Sequence, residues 1–392
     1  MTKKANVIGV SMVKFEKPGR NEPYEMMASK AITGALADAG ISFSDVQQAY
    51  ASYVYGDSTC GQTALYRVGM TGIPIINVNN NCSSGSTALY MARQAVESGS
   101  TECVLAFGFE EMQPGALGEN WSDRTSPFQW IYNGFNELNK ELPEGPVALK
   151  VFGAAGLEYL EKYGANRDIF GKVAVKSRKH AINNPYSLFT NEIGLNDVMN
   201  SPVIYPGLRR LMACPPTCGA AAVIVCSDQF AKKHNIHKSV QIAAQSMTTD
   251  LPDTYDNNLN LVGRKMTENA VRQVYEKAGI GPEDVDVVEL HDCFTPNEVI
   301  TYEGLGLCAE GEAEKFINDQ DNTYGGKFVV NPSGGLMSKG HPLGATGLAQ
   351  CTELVWHLRG EAGERQVKKA KVALQHNLGL GGACVVTLYK QV

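Results

Sequence analysis

The chain has 392 residues, of which 43% are apolar and 19% are charged, and its formal net charge is -6. A chain of this length can bury a large core and form two compact units. The negative charge argues against nucleic acid as a partner, because neutralising phosphates requires a basic face. The longest apolar stretches, such as 220–226, fall far short of the ~20 residues that span a bilayer, so no membrane span is expected.

Strands and helices are predicted to alternate along the chain in two successive series. The first series has strands at 5–11, 47–54, 102–108 and 219–226 and helices at 25–39 and 82–97. The second has strands at 240–246, 286–291, 370–376 and 382–389 and helices at 264–278 and 343–358. This alternation predicts an α/β fold with largely parallel, buried sheets.

The two series are related by an internal duplication. The stretch "ADAGISFSDVQQAYA" at 37–51 matches "EKAGIGPEDVDVVEL" at 276–290, and each copy places Ala-Gly at the end of a helix. The stretch "CSSGSTAL" at 82–89 matches "HPLGATGL" at 341–348 in its glycine, threonine and leucine. Cys82 and His341 therefore occupy equivalent positions, each at the start of a helix.

An insertion of roughly a hundred residues, at 112–216, separates two strands of the first half. We predict that it forms a mainly helical, lid-like domain over the site, because it contains the strongly helical stretch "GLEYLEKYGANRDIFGKVAVKSRKH". The predicted N-terminal half then comprises 1–111 and 217–238, and the C-terminal half comprises 239–392.

Two like halves usually pack about a pseudo-twofold axis, which would bring the two equivalent helix starts together. A helix N-terminus favours thiolate over thiol, so Cys82 is a candidate nucleophile. His341 could accept the thiol proton and form an ion pair with the sulfur. The backbone N–H of Cys82 could also donate to a developing oxyanion.

Two further polar segments end strands of the second half. "VVELHDCF" carries His291, Asp292 and Cys293 at the carboxyl edge, where parallel sheets place ligands. "ALQHNLGLGGA" carries His376 and Asn377, followed by glycines. The glycines are either a turn that simply needs glycine or a turn that stabilises an anion. The polar cluster at 291–293 is either functional or structural.

The motifs "NNNCSSGS", "ELHDCF", "NPSGGLMSKGHPLGATG" and "NLGLGG", in this order, resemble the thiolase superfamily and specifically the sterol carrier protein-type thiolases. The resemblance runs through nearly the whole chain. It implies a thiolase fold with duplicated βαβαβ halves in a five-layered αβαβα arrangement, and a homodimer. It also implies CoA-dependent cleavage of a 3-oxoacyl-CoA to acetyl-CoA or propionyl-CoA and a shortened acyl-CoA. CoA would be a co-substrate, and no other cofactor and no metal are expected.

The resemblance also implies a role for each matching residue. Cys82 resembles the nucleophile that becomes acylated, and His341 resembles the histidine that activates it and holds the substrate thioester oxygen. Cys293 takes the acid/base role, which most thiolases give to a second cysteine near the C-terminus. His291 stands where most thiolases have an asparagine that positions a water in the enolate oxyanion hole.

Two more residues are expected to contact substrate. Asn377 stands where most thiolases have their second catalytic cysteine. Gly379 resembles the glycine whose N–H, with that of Cys82, stabilises the tetrahedral intermediate.

Other functions of the same fold stay open at this point. One is a retro-aldolase acting on steroid side chains, another is a decarboxylating condensing enzyme, and a third is a non-catalytic acyl-CoA or lipid binder. Eukaryotic relatives often continue into a lipid-carrier domain and a peroxisomal tail, whereas this sequence ends "LYKQV". The expected compartment is therefore the cytoplasm for a bacterial protein and the peroxisome for a eukaryotic one.

Overall fold

The structure is a computed structural model that describes residues 3–113 and 121–392. The first half of the chain contains β1 (Ala5–Met12), α1 (Tyr24–Ala39), β2 (Gln48–Ser52), α2 (Cys60–Tyr66), β3 (Ile75–Val78), α3 (Ser84–Glu97) and β4 (Cys103–Glu110). The inserted segment contains α4 (Gln129–Leu138), α5 (Val147–Tyr163), α6 (Asp168–Ala181), α7 (Leu195–Met199), β5 (Val203–Tyr205) and β6 (Leu208–Arg209). It leads into β7 (Gly219–Ser227) and α8 (Asp228–Lys233).

The second half repeats the first. It contains β8 (Val240–Thr248), α9 (Asn258–Leu261), α10 (Arg264–Ala278), β9 (Val287–Glu289), α11 (Thr295–Gly304), α12 (Ala313–Asn318) and β10 (Val329–Val330). It ends with α13 (Gly335–Ser338), α14 (Leu343–Arg359), β11 (Val372–Gly379) and β12 (Ala383–Gln391). The long predicted elements agree with these bounds to within a few residues, and the predicted helix at 264–278 matches α10.

Strand order shows the duplication directly. The large sheet has ten strands in the order β10-β9-β11-β12-β8-β1-β7-β4-β2-β3. Counted outward from the central β8–β1 pair, the order β1-β7-β4-β2-β3 in the first half corresponds to β8-β12-β11-β9-β10 in the second. In each half four strands run in one direction and the fifth, β7 or β12, is antiparallel to its neighbours. The halves join where β1 pairs antiparallel with β8, at Asn6–Gln241 and Val7–Val240. An antiparallel seam between equivalent strands is what a pseudo-twofold axis requires.

The helices lie in three layers around the two halves of the sheet. Apolar residues of α3 and α14 form one core with the inner faces of both halves. A second core joins α1 and α2 to the outer face of the first half, and a third joins α10, α11 and the insertion to the second half. The predicted five-layered αβαβα arrangement is confirmed. In the described residues, no helix is long and apolar enough to cross a membrane.

The two central helices approach so closely that their first turns need glycine. A Cβ on Gly85 would lie 2.9 Å from the carbonyl oxygen of Gly344 and 3.0 Å from the amide nitrogen of Gly347. This approach holds the start of α3 against the start of α14. The glycines shared by the two repeats therefore determine where residues 82 and 341 meet.

The insertion contains four helices and a short hairpin in its described part. Residues 114–120, which fall in its turn-rich first section, lie outside the described residues. The domain boundaries drawn from the sequence stay a prediction.

Candidate active site

Cys82 lies in a tight turn between β3 and α3. Asn81 has φ of 51°, in the left-handed region, and reverses the chain just before the cysteine. The Asn81 side-chain amide donates to the Leu380 carbonyl at 3.0 Å, and the Ser84 hydroxyl donates to the Asn81 carbonyl at 2.6 Å. A Cβ on Gly379 would lie 2.2 Å from the Asn80 carbonyl oxygen, so only glycine fits against this turn.

His341 immediately precedes α14, and Thr346 orients its ring. The Thr346 hydroxyl donates to the Pro342 carbonyl at 2.9 Å, which leaves its oxygen free to accept from His341 Nδ1–H at 2.7 Å. Since Nδ1 carries the proton, Nε2 is the basic nitrogen. This Nε2 atom is buried and has no hydrogen-bond partner among the described residues. It is therefore available to accept a proton from a neighbouring group.

His291 has the opposite tautomer. Its Nδ1 accepts a hydrogen bond from the Asn377 side-chain amide at 3.1 Å, so its proton lies on Nε2. Its backbone N–H points to Nδ1 of His376 at 3.4 Å, and His376 Nε2 lies 3.0 Å from the Thr267 hydroxyl. Asn377 is thus a partner of His291, behind the reacting groups.

The three groups converge. The sulfur of Cys82 and ring nitrogens of His291 and His341 all lie within 4.8 Å of one another. The two imidazole rings meet edge to face, with centroids 5.0 Å apart and an interplanar angle of 85°. The structure therefore brings the two equivalent helix starts together. One neutral base and one N–H donor face the same thiol.

Cys293 adjoins this cluster. Its carbonyl accepts the Cys214 N–H at 2.9 Å, and Pro216 pairs with His341, so residues 213–216 connect the two segments. Asp292 holds the turn, because its carboxylate accepts the Leu336 N–H at 2.7 Å. Burial raises the pKa of the Cys293 thiol well above its usual range, and the Cys214 and Cys82 thiols add to this. Cys293 is therefore a protonated thiol at neutral pH.

The charge state of the resting site differs from the sequence-based expectation. Burial, reinforced by the Glu110 carboxylate, raises the pKa of Cys82 to about 12. Burial lowers the pKa of His341 to about 3. These shifts favour a neutral thiol beside a neutral imidazole in the free protein, whereas the sequence-based expectation was a resting ion pair. One residue, Ser83, separates Cys82 from the first residue of α3, and burial of the thiol outweighs the helix dipole there.

Glu110, which the sequence reasoning missed, ends β4 and joins the segment after β2 to the start of α14. Its buried carboxylate accepts backbone N–H groups from Tyr55 at 2.9 Å and Gly344 at 3.0 Å. Burial raises its pKa to about 7. The signal in the sequence was an acidic residue directly after the apolar run "CVLAFGF", at the carboxyl edge of a strand. Cys214 was also missed as a neighbour of the site, because only the fold brings "CPPTC" to Cys293.

A cleft of about 1580 Å³ lies next to the cluster. Its floor includes 79–81, Cys214 and 379–383, the segments next to Cys82 and Cys293. One wall is apolar and aromatic, from Trp121, Phe128, Tyr132 and Phe189. Four basic side chains also line the cleft, namely Lys17, Arg124, Arg178 and Arg210. Several of these wall residues come from the insertion, so the insertion contributes to the cleft as a lid would.

Comparison with known proteins agrees with this architecture. Residues 6–229 match the family described as "Thiolase, N-terminal domain", and residues 254–389 match "Thiolase C-terminal domain-like". The chain belongs to the thiolase family. It is 56% identical over 391 residues to "Sterol carrier protein 2" of Oryctolagus cuniculus, covering 98% of this chain and 71% of that protein. It is also 35% identical to "Benzoylsuccinyl-CoA thiolase subunit BbsB" of Thauera aromatica, covering 97% of this chain and 96% of that one.

A solved structure titled "Ltp2-ChsH2(DUF35) aldolase" has the same fold. It superposes with a TM-score of 0.83 and 23% sequence identity, covering 99% of this chain and 98% of that chain. At this level of identity the similarity establishes the fold alone. Reaction and substrate have to be argued from the site.

Proposed function

We propose that this thiolase is an acyltransferase that cleaves 3-oxoacyl-CoA with CoA, through an acyl-cysteine intermediate. The observation that carries the proposal is the convergence of Cys82, His341 and His291 within 4.8 Å. Breaking a carbon–carbon bond beside a ketone needs a nucleophile, a donor for the enolate oxygen and an acid for the departing carbon. The cluster and the adjoining Cys293 supply these groups.

Acylation begins with proton transfer. Nε2 of His341 takes the Cys82 proton as the sulfur attacks the 3-oxo carbon, and the thiolate exists only along this step. The N–H groups of Cys82 and Gly379 are the proposed donors to the resulting oxyanion. The new C–S bond is followed by cleavage of the bond between carbons 2 and 3, whose electrons pass into an enolate.

The enolate is then protonated. Nε2–H of His291 and the protonated Nε2 of His341 both face the position where its oxygen would lie, and each would donate to it. Cys293 gives its proton to carbon 2 and releases acetyl-CoA. Its raised pKa suits this role, because the thiol keeps its proton until a strongly basic carbanion equivalent appears.

Deacylation runs these proton transfers in the opposite direction, with CoA as the second substrate. The Cys293 thiolate takes the proton of incoming CoA, and the CoA sulfur attacks the acyl carbon on Cys82. His341 returns its proton to the leaving Cys82 sulfur. The protein thus ends in the neutral state in which it began.

The cleft offers recognition for CoA substrates. Its basic side chains suit the phosphates of CoA, and Arg178 is buried against the Phe189 ring, with its guanidinium 4.0 Å from the ring centroid. The apolar wall suits an acyl chain or a sterol side chain. Degradation of fatty acids or sterol side chains, within β-oxidation, is the corresponding proposed role.

The direct test is thiolysis of acetoacetyl-CoA and longer 3-oxoacyl-CoA, followed by chromatography of the CoA products. We expect acetyl-CoA and an acyl-CoA two carbons shorter, with loss of turnover in Cys82→Ala. Cys351→Ala, which removes a buried thiol in the middle of α14, is the control for loss of a cysteine. Wild-type turnover in Cys82→Ala would contradict the mechanism.

A retro-aldolase is the second candidate, favoured by the fold of the aldolase with a TM-score of 0.83. A retro-aldol reaction forms no acyl-cysteine, so it would leave Cys82 without a purpose. A non-catalytic acyl-CoA or lipid binder is the third, since one relative is named sterol carrier protein. That candidate predicts ligand binding with unreactive thiols. The thiolysis assay separates the thiolase from both of these candidates.

We also propose a homodimer formed along β3, the edge strand of the first half. Met70 and Ile76 are 77% and 37% exposed on this side of the molecule. An unpaired edge with apolar neighbours suits pairing with a second copy. The proposed compartment is the peroxisome for a eukaryotic source and the cytoplasm for a bacterial one.

A further inference from the structure

The reacting cluster has the composition of a metal site as well as of a catalytic one. One thiol and two imidazoles, with ligand atoms within 4.8 Å of one another, are the donor types that Zn²⁺ prefers. A tetrahedral zinc site has its ligand atoms about 3.3–3.8 Å apart, given bonds of about 2.0–2.3 Å. Rotation of the Cys82 side chain, which lies at the end of a turn, could close the remaining ångström or so.

One of the two histidines is already held as a metal ligand usually is, and the other needs only the turn of one side-chain amide. In metal sites the second ring nitrogen of each histidine is hydrogen-bonded, and this bond fixes the ring. Here Nδ1–H of His341 donates to the Thr346 hydroxyl at 2.7 Å, whereas Nδ1 of His291 lies 3.1 Å from the side-chain amide nitrogen of Asn377. The buried Oδ1 of Asn377 has no hydrogen-bond partner among the described residues, so a half-turn of this amide lets Oδ1 accept a proton on Nδ1 of His291 and leaves Nε2 free for a metal. Nε2 of each ring is therefore the nitrogen that faces the thiol. Within the part of the chain that the structure describes, Nε2 of His341 is buried and has no hydrogen-bond partner.

Charge and access also suit a cation. The Glu110 carboxylate lies close enough to Cys82 to raise the pKa of its thiol, and the same negative charge would favour a nearby dication. Cys82 is partly exposed, and the cleft next to it is large enough to admit a hydrated ion. Water would complete the fourth position, as in zinc sites with three protein ligands.

We propose that Cys82 Sγ, His341 Nε2 and His291 Nε2 form a reversible binding site for Zn²⁺ and similar thiophilic dications, and that an ion bound there blocks acyl transfer. Binding exchanges the thiol proton for a sulfur–metal bond, and that proton passes to solvent, while the proton of His291 moves from Nε2 to Nδ1. The ion occupies the sulfur that attacks the substrate and the Nε2 lone pair of His341 that accepts its proton. The inhibitory part rests on the proposed function, whereas the binding part does not.

The test uses metal-stripped protein and Cd²⁺, whose thiolate complexes have a charge-transfer absorption in the ultraviolet, with Zn²⁺ binding measured by calorimetry. We expect one ion per chain. Cys82→Ser should lose the absorption band, and His341→Asn and His291→Asn should each weaken binding at least about 100-fold, more than loss of an outer hydrogen bond does. Thr346→Val, which removes only the outer bond, should weaken it by about 10- to 100-fold.

Cys214→Ser is the matched control, because Cys214 lines the same cleft but is not among the three ligands. It should bind Cd²⁺ and Zn²⁺ as the wild type does. Unchanged binding in folded Cys82→Ser, equal loss in Cys214→Ser, or no binding by the wild type would each overturn the site. If the wild-type protein cleaves 3-oxoacyl-CoA but binds no ion, the metal site alone is overturned. If it binds one ion but shows no thiolysis, the proposed function alone is overturned.

Discussion

At the active-site cysteine, burial and a neighbouring carboxylate act in the same direction. Both favour the neutral thiol, and together they raise the pKa of Cys82 to about 12. His341, whose pKa is lowered to about 3, stays an acceptor at every pH at which the protein would work. The pair is therefore built to move a proton during attack rather than to store a thiolate beforehand.

The pH dependence of alkylation checks this charge state. Iodoacetamide reacts with the thiolate, so the rate at Cys82 should rise about tenfold per pH unit between about pH 6 and 9. It should not level off there, because the thiolate fraction keeps rising until the pH reaches the thiol pKa. Peptide mapping by mass spectrometry separates Cys82 from the other cysteines. A plateau near pH 7 would mean that the resting thiolate exists after all.

Glu110 gives a second prediction at this scale. Glu110→Gln removes the negative charge that raises the Cys82 pKa, so alkylation of Cys82 at pH 8 should accelerate by about tenfold, corresponding to one pKa unit. Glu111→Gln is the matched control, since the Glu111 carboxylate binds the Tyr24 N–H instead. An equal acceleration in both variants would show that the effect is not specific to the carboxylate at 110.

At the scale of elements, the first turn of α14 sets the tautomer of the base. The same helix contains two buried threonines that each donate to the carbonyl four residues earlier at 2.9 Å, Thr346 to Pro342 and Thr352 to Leu348. Only Thr346 also accepts from the His341 ring. Substitutions at the two positions therefore separate the effect of the hydrogen bond to His341 from the effect of the hydrogen bond to the helix backbone.

Thr346→Val should slow acylation of Cys82 by about 10- to 100-fold, because an unpaired buried donor costs about 1–3 kcal/mol and the other tautomer becomes accessible. Thr352→Val should leave acylation near the wild-type rate, with a comparable loss of stability. Single-turnover kinetics with acetoacetyl-CoA, together with thermal unfolding, measures both quantities. Equal rates in the two variants would show that the Thr346 bond does not orient the base.

Elements with a strong period and an internal copy were predictable from the sequence, whereas short ones were not. The duplicated helices α10 and α14 were predicted almost to the residue, because the apolar period and the Ala-Gly or glycine stop are local signals. Strands β3 and β10 were missed, since four and two residues give no period to detect. The duplication nevertheless identified Cys82 and His341 as equivalent positions from the sequence alone.

Other features of the site depend on contacts between distant residues. The hydrogen bonds of Glu110 to Tyr55 and Gly344 join two halves of the chain, and no sequence pattern encodes them. The same holds for Asn377, which was expected to bind substrate but lies hydrogen-bonded to His291. The charge state expected for Cys82 from the sequence left out burial, which the sequence does not report and which opposes the effect of the helix dipole on the thiol.

At the scale of the whole molecule, β3 leads directly from the proposed dimer interface to the Cys82 turn. Light scattering should give the mass of two 42.4 kDa chains. Met70→Glu, which places a charge on the exposed apolar edge, should shift the protein toward monomer and lower thiolysis. Val392→Glu, at another exposed apolar residue away from this edge, is the control. A monomeric wild type would contradict the interface.

The central claim concerns a covalent bond that forms where the two halves of the duplication meet. Intact-mass spectrometry after mixing with acetoacetyl-CoA, without added CoA, should show one acetyl group per chain, mapped to Cys82. The adduct should form more slowly in Cys293→Ala, in which carbon 2 lacks its proton donor, and should then persist because deacylation lacks its base; it should be absent from Cys82→Ala. An acetyl group on a different residue, or no adduct in wild type and Cys293→Ala alike, would contradict the account.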